Sequence, residues 1–188
     1  MDRSTLRLFF ALWPAPQTRE ALASVAEEVA RETGGRAVAA DNLHLTLAFL
    51  GERPAELVAR VSEVAAGIEC AAFSLLLDDV GYWRKAGLAW LGSDAPSSEL
   101  NALQRELARR IAGSGIELET RPFAAHITLV RRIGTIVRRR LTSPITWHID
   151  SFALVASELA RDGARYRVLE TWSLRTHEPH AVRRGRAV

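Results

Sequence analysis

Two short stretches of the chain repeat one pattern of side chains able to move protons. They are His44-Leu45-Thr46-Leu47 and His126-Ile127-Thr128-Leu129, with the histidines 82 residues apart. An imidazole with a pKa near 6.5 can serve as general base or general acid at neutral pH. A threonine hydroxyl two residues on can donate a hydrogen bond to an oxygen of a bound anion. Four such groups, with no cluster of metal ligands beside them, suit a phosphodiester, whose charge spreads over non-bridging oxygens in the transition state. The most economical reaction is the opening of a cyclic phosphodiester. One imidazole takes a proton from water attacking phosphorus in line, and the other protonates the departing ribose oxygen. Each transfer contributes on the order of 10²–10⁴-fold, and ring strain in a five-membered cyclic phosphate lessens the need for a metal.

The pattern has meaning only if both stretches are strands. Side chains alternate faces along a strand. His44 and Thr46 then share one face, opposite Leu43, Leu45, Leu47 and Phe49; His126 and Thr128 share one face, opposite Ile127 and Leu129. Each strand buries its aliphatic face and presents an imidazole and a hydroxyl on the other. A lone histidine on a strand is usually a structural residue, but a second copy at the same internal spacing requires the coincidence twice. The rest of the chain is expected to bring the two strands face to face.

The elements that could do this are legible in order. Leu6 to Trp13 is an apolar run closed by Pro14 and Pro16, and reads as a buried strand. Residues 16 to 33 switch to helical period through Leu22, Val25, Ala26 and Val29, and stop at Gly34-Gly35. Ala37 to Ala39 is a short extended piece. Pro54 opens a second helix with the stripe Leu57, Val58, Val61, Val64, Ala65 and Ile68. Phe73 to Leu77 and Gly87 to Leu91 form a hairpin around a turn at residues 78 to 85. Ser97 or Ser98 caps a third helix with Leu100, Leu103, Leu107 and Ile111 inward. Arg131 to Pro144 has no clear period and is expected as a surface loop or short helix. Ile145 to Ser157 and Tyr166 to Arg175 are expected as long strands joined by the turn-rich Glu158 to Gly163. This is an α+β pattern with antiparallel sheets. The expected architecture is a bilobal single domain with pseudo-twofold symmetry, two antiparallel sheets lining a central cleft and helices outside. The domain is expected over residues 1–176, with residues 177–188 a basic, mobile tail.

Composition sets outer bounds. The chain has 188 residues, enough for one domain with a full core. Its 48% hydrophobic and 25% charged content is ordinary for a soluble globular protein. No apolar run is long enough to span a bilayer, and Met1 to Arg7 lacks the order of a signal peptide, so a cytoplasmic location is expected. The single Cys70 excludes an internal disulfide and reads as a small core residue. The net charge of +3 rests almost wholly on arginine, with Lys85 the one lysine. A GC-rich genome is the bland cause; an anionic substrate gripped by guanidinium forks is the functional one.

At these residues the chain resembles the two-histidine (2H) phosphoesterase superfamily. Within it, the chain is similar to the bacterial and archaeal RNA 2′,3′-cyclic phosphodiesterases, also called 2′-5′ RNA ligases. The resemblance spans nearly the whole chain: Arg7-Leu8-Phe9-Phe10-Ala11, Val38 to Gly51, Leu75 to Gly81, Trp90-Leu91-Gly92, Arg121-Pro122-Phe123, the second motif with Arg131, and Tyr166 onward. One departure is Ala125, where relatives often carry proline, which bears on local rigidity. The resemblance implies hydrolysis of an RNA 2′,3′-cyclic phosphate to a 2′-phosphate, with 2′-5′ ligation as the reverse. It implies His44 as proton donor and His126 as proton acceptor; the likeness of the two motifs leaves that order open from the residues alone. Thr46 and Thr128 are implied as phosphate binders, and Arg131 as a cation directed at the substrate. Strand parity puts Arg131 opposite His126, so a twist or strand end must reorient it. No metal or other cofactor is implied. The implied partner is an RNA end bearing a 2′,3′-cyclic phosphate, tRNA fragments among them, with no membrane and no obligate protein partner, and the protein is expected to be a monomer.

Two other classes remain. One is an RNA-end binding module without turnover; the other is a phosphodiesterase acting on small cyclic nucleotides or 2′,5′-linked oligonucleotides. Phe9, Phe49, Tyr82 and Trp83 read first as core residues. Phe123, just before the second motif, is the preferred candidate for stacking a base, which is worth roughly 1–3 kcal/mol where it occurs. His148 reads as an edge-strand residue, and His177 and His180 as solvated.

Overall fold

The computed structural model describes residues 5–95, 97–118, 122–160 and 163–175. In chain order the elements are β1 (Thr5–Leu12), α1 (Pro16–Thr33), β2 (Arg36–Ala37), β3 (Leu45–Pro54), α2 (Leu57–Ala66), β4 (Phe73–Trp83), β5 (Leu88–Gly92), α3 (Ser98–Gly113), β6 (Ile127–Arg131), β7 (Arg139–Ile149), β8 (Ser151–Ala160) and β9 (Gly163–Ser173). The protein is α+β, as expected.

The strands hydrogen-bond in the order β7-β4-β5-β6-β3-β1-β8-β9, with β2 added on β6. All these pairings are antiparallel. The order is palindromic about the junction of β3 and β6. On one side β1 leads through α1 to motif strand β3, which returns beside β1. On the other, β5 leads through α3 to motif strand β6, which returns beside β5. The lobes of the sequence reading are therefore the two halves of one sheet. Strands β3 and β6 meet through a single residue pair, Leu45 with Ile127, and β2 adds two pairs on β6, Arg36 with Arg131 and Ala37 with Val130. The motif strands lie side by side at this seam.

One main core lies on the helix-covered face. Leu22, Ala26 and Val29 of α1, and Leu100, Leu103, Leu107 and Ile111 of α3, are all buried there, as their spacing requires. Ser97 caps α3, its side chain accepting from the Leu100 backbone N–H at 3.0 Å. The apolar run of β1 is buried on both faces. Leu8, Phe10 and Leu12 enter the main core; Phe9 and Ala11 join Ala153 and Val155 in a second, smaller cluster on the opposite face, with Trp13, Phe49 and Tyr166 against it. His44, Thr46, His126 and Thr128, the candidate site residues, stand on that second face.

Several expectations change: β3 runs through Pro54 with α2 beginning at Leu57, and β8 continues through Ala160 where the composition suggests a turn from Glu158. The turn placed at residues 78 to 85 shrinks to one 3₁₀ turn at Arg84–Ala86, and β4 runs on through Trp83. Pairing with β5 and β7 on both sides holds Asp78 to Tyr82 extended despite their turn-like composition. The stretch from Arg131 to Pro144 ends in strand, because β7 starts at Arg139; Pro144 is tolerated on an edge strand. Ile145 to Ser157 is two strands broken at Asp150: β7 pairs with β4 at one edge of the sheet, and β8 with β1 in the other half. His148 lies on edge strand β7, facing Ser74 at 3.4 Å. Cys70 is half-buried against the main core. The segment from His177 onward lies outside the described residues, and among the described residues no helix is long and apolar enough to cross a membrane.

Candidate active site

Leu45 and Ile127 face each other across the seam with both side chains buried in the main core. Their neighbours must therefore point to the other face. In the antiparallel register this pair sets, His44 comes level with Thr128, and Thr46 with His126. One residue pair thus puts two imidazoles and two hydroxyls on a single patch. All four are partly exposed, while Leu43, Leu45, Leu47, Ile127 and Leu129 between them are buried. Both histidines sit one residue ahead of their strand.

The imidazoles are held alike. His44 Nδ1 lies 2.7 Å from the Asn42 carbonyl, and His126 Nδ1 lies 2.8 Å from the Ala124 carbonyl. A carbonyl only accepts, so each Nδ1 carries a proton and donates it. In the neutral ring the second nitrogen, Nε2, is left as the proton acceptor. His44 Nε2 is 3.2 Å from Thr46 Oγ1.

Their surroundings differ. His44 is enclosed by three aromatic rings: Trp13 stacked nearly parallel at 5.3 Å, Phe9 at 5.0 Å, and Tyr166 edge-on at 5.1 Å. Loss of water lowers its pKa from 6.5 to about 4; the bond to Asn42 opposes this, and the nearby positive charges of His126 and Arg131 add to it. His126 meets one ring, Trp83 edge-on at 4.3 Å. Its pKa is also lowered, first by burial, with Arg131 in the same direction and the bond to Ala124 opposing.

Arg131 acts on both imidazoles because β6 contains a bulge. Trp90 pairs with Thr128 and Ala89 with Val130, so Leu129 is an extra residue opposite β5, and Leu88 then pairs with Arg131. Leu88 and Trp90 share a face of β5, so their partners Arg131 and Thr128 share one on β6. The bulge resolves the parity conflict that alternation alone creates. Trp90 lies across Gly81 and Gly92: a Cβ at Gly81 would come within 2.2 Å of its Cζ2, and one at Gly92 within 3.1 Å of its Cζ3. Trp90 in turn lies 6.0 Å from Trp83.

Phe123 is partly buried against the main core. The rings that touch the imidazoles are Phe9, Trp13, Tyr166 and Trp83. Trp13 and Tyr166 carry no local sequence signal; one closes an apolar run and the other sits in a distant strand. Among the described residues no group of three or more histidine, cysteine or carboxylate side chains gathers as a metal site.

The profile of the LigT-like phosphoesterases matches the chain twice, over residues 12–90 and 91–166, once around each motif. The chain belongs to the LigT-like phosphoesterase family. It is 40% identical to the RNA 2′,3′-cyclic phosphodiesterase of Escherichia coli over 171 residues, covering 89% of this chain and 96% of the relative. It is 33% identical to the enzyme of the same name from Thermus thermophilus, covering 90% and 91%. Its fold is similar to the crystal structure of E. coli LigT complexed with 3′-AMP, with a TM-score of 0.80 and 38% identity over 91% of this chain and 99% of that one. Membership in the family agrees with the two-histidine resemblance.

Proposed function

We propose that this family member hydrolyses RNA 2′,3′-cyclic phosphate ends to 2′-phosphomonoesters without a metal ion. The reading is carried by the placement of His44, Thr46, His126 and Thr128 on one face of the seam. Water attacks phosphorus opposite the 3′ oxygen. His126 Nε2 takes the water proton as the new O–P bond forms. The P–O3′ bond breaks, and His44 Nε2 gives its proton to the departing 3′ oxygen. Thr46 and Thr128 donate hydrogen bonds to the non-bridging oxygens, and Arg131 offsets the growing charge.

The environments support these roles. An imidazolium inside an aromatic enclosure is a strong acid, which suits donation to a poor leaving group. Its low population in the free protein is raised when a phosphodiester anion binds beside it. His126, less enclosed, is the better placed base. The reverse reaction, joining a 2′,3′-cyclic end to a 5′ hydroxyl as a 2′-5′ linkage, uses the same groups in the opposite sense and serves as a secondary activity.

The test is turnover of an oligonucleotide ending in a 2′,3′-cyclic phosphate by EDTA-treated protein, with identification of the product end. A 2′-phosphate is expected. A 3′-phosphate, or a strict need for added divalent metal, overturns the proposal. Equal, undetectable turnover by wild type and His126→Ala, with the RNA still bound, would instead mark a binding module.

A further inference from the structure

We infer that the β4–β5 hairpin tip and the end of β6 form a second phosphate-binding track, which holds the body of a single-stranded RNA whose reactive end lies at the histidines. The inference rests on the proposed hydrolysis of RNA ends and extends it from the terminal nucleotide to the chain behind it.

Four cations gather there: Arg84 and Lys85 in the 3₁₀ turn of the hairpin, and Arg131 and Arg132 at the end of β6. The two segments are bound together, since Leu88 pairs with Arg131 and the Ile133 N–H donates to the Gly87 carbonyl at 3.2 Å. All four side chains are exposed, and none has an anionic partner among the described residues. Other arginines are paired, Arg139 with Glu28 and Glu32, Arg140 with Asp78 and Asp94, and Arg19 with Asp41; Arg31, Arg105 and Arg138 also lack an anionic partner among the described residues, but they are not set beside the histidines as these four are. Arg132 is also held at φ 56°, a left-handed conformation unusual for a long side chain. The track begins at the site itself, because Trp83, the residue before Arg84, touches His126 and leaves 36% of its surface exposed. Unpaired cations leading away from an exposed aromatic ring are the pattern by which single-stranded nucleic acids are held, through phosphates and stacked bases, without reading sequence. A cyclic mononucleotide would engage only the histidine patch and Arg131; an oligonucleotide would also engage Arg84, Lys85 and Arg132.

The test compares wild type with Arg84→Gln/Lys85→Gln/Arg132→Asn, which leaves Arg131 in place and uses asparagine for its tolerance of the left-handed conformation. Two probes are used: a nucleoside 2′,3′-cyclic phosphate followed by turnover, and an unreactive single-stranded RNA ending in a 3′-phosphate followed by fluorescence anisotropy. The variant should turn over the mononucleotide at the wild-type rate but bind the RNA more weakly. With about 0.7 counterions released per contact on a single strand, loss of three contacts should flatten the log Kd against log salt slope by about 2. Raising salt from about 50 to 200 mM would then weaken wild-type binding roughly 15-fold more than variant binding. Equal RNA affinity and equal salt slopes overturn the track. The anisotropy arm reads the track even if neither probe is hydrolysed, so failure of the catalytic reading is seen separately.

Discussion

His44 is held neutral by its aromatic enclosure, and this makes the fold sensitive to acid in a calculable way. Its pKa falls from 6.5 to about 4 on folding. Between those values the unfolded chain binds a proton that the folded chain refuses, so stability rises with pH through this window and is lost as pH falls through it. At about 1.36 kcal/mol per pKa unit the full cost is near 3 kcal/mol, an upper figure because the ring is only partly enclosed. The perturbation is His44→Gln, which removes the titration and keeps a side chain of similar reach. Urea unfolding at several pH values should show wild type losing more stability than the variant as pH falls from about 6.5 to 4, with a difference of at most about 3 kcal/mol across the window. His126 shifts in the same direction but is present in both proteins and cancels. The same shifts should place the optimum of kcat/KM below pH 6.5, while that of kcat lies higher because bound phosphate favours the imidazolium. Parallel stability curves, or an NMR titration with His44 near 6.5, would refute the reasoning.

Three further outcomes are expected. Thr46→Val or Thr128→Val should lower kcat by about 10²-fold, with little change in thermal stability, by removing one donor to the phosphate oxygens. Arg131→Gln should raise the pKa of both imidazoles, moving the kcat/KM optimum to higher pH, and lower kcat/KM roughly ten- to hundredfold through loss of a charged hydrogen bond; the pH–rate profile reads both effects. Gly81→Ala drives a methyl group into the Trp90 ring, and should cost about 1–3 kcal/mol in chemical denaturation while lowering kcat through displaced Trp83 and His126.

The sequence was most informative where one local rule decided the outcome. Helical period and a Gly-Gly stop placed α1 at residues 16 to 33, and it forms over Pro16–Thr33. A serine before a leucine stripe placed the third helix and its cap. The two His-x-Thr motifs were legible because alternation along a strand needs no tertiary information. The strands misjudged were those whose state depends on remote partners. Asp78 to Tyr82 look like a turn until β5 and β7 flank them, and Ile145 to Ser157 look continuous until each half joins a different lobe. The seam was beyond local reading for the same reason, since it hangs on Leu45 meeting Ile127. So was the bulge at Leu129, which turns Arg131 toward the imidazoles and leaves no mark in composition. The enclosure of His44 draws Phe9, Trp13 and Tyr166 from opposite ends of the chain. Only the topology brings them together.

That topology also sets an order of assembly during synthesis. The strand that leads to the first motif takes β8 as its neighbour, and the ring that closes over His44 comes from β9, where the Ala164 carbonyl also receives the Asn42 side chain at 2.9 Å. When the ribosome has made both motifs, one wall of the enclosure around the earlier imidazole has yet to be synthesised. The three-ring enclosure is complete only after Tyr166 emerges, so the nascent chain holds both histidines and both threonines before the surroundings of His44 are in place.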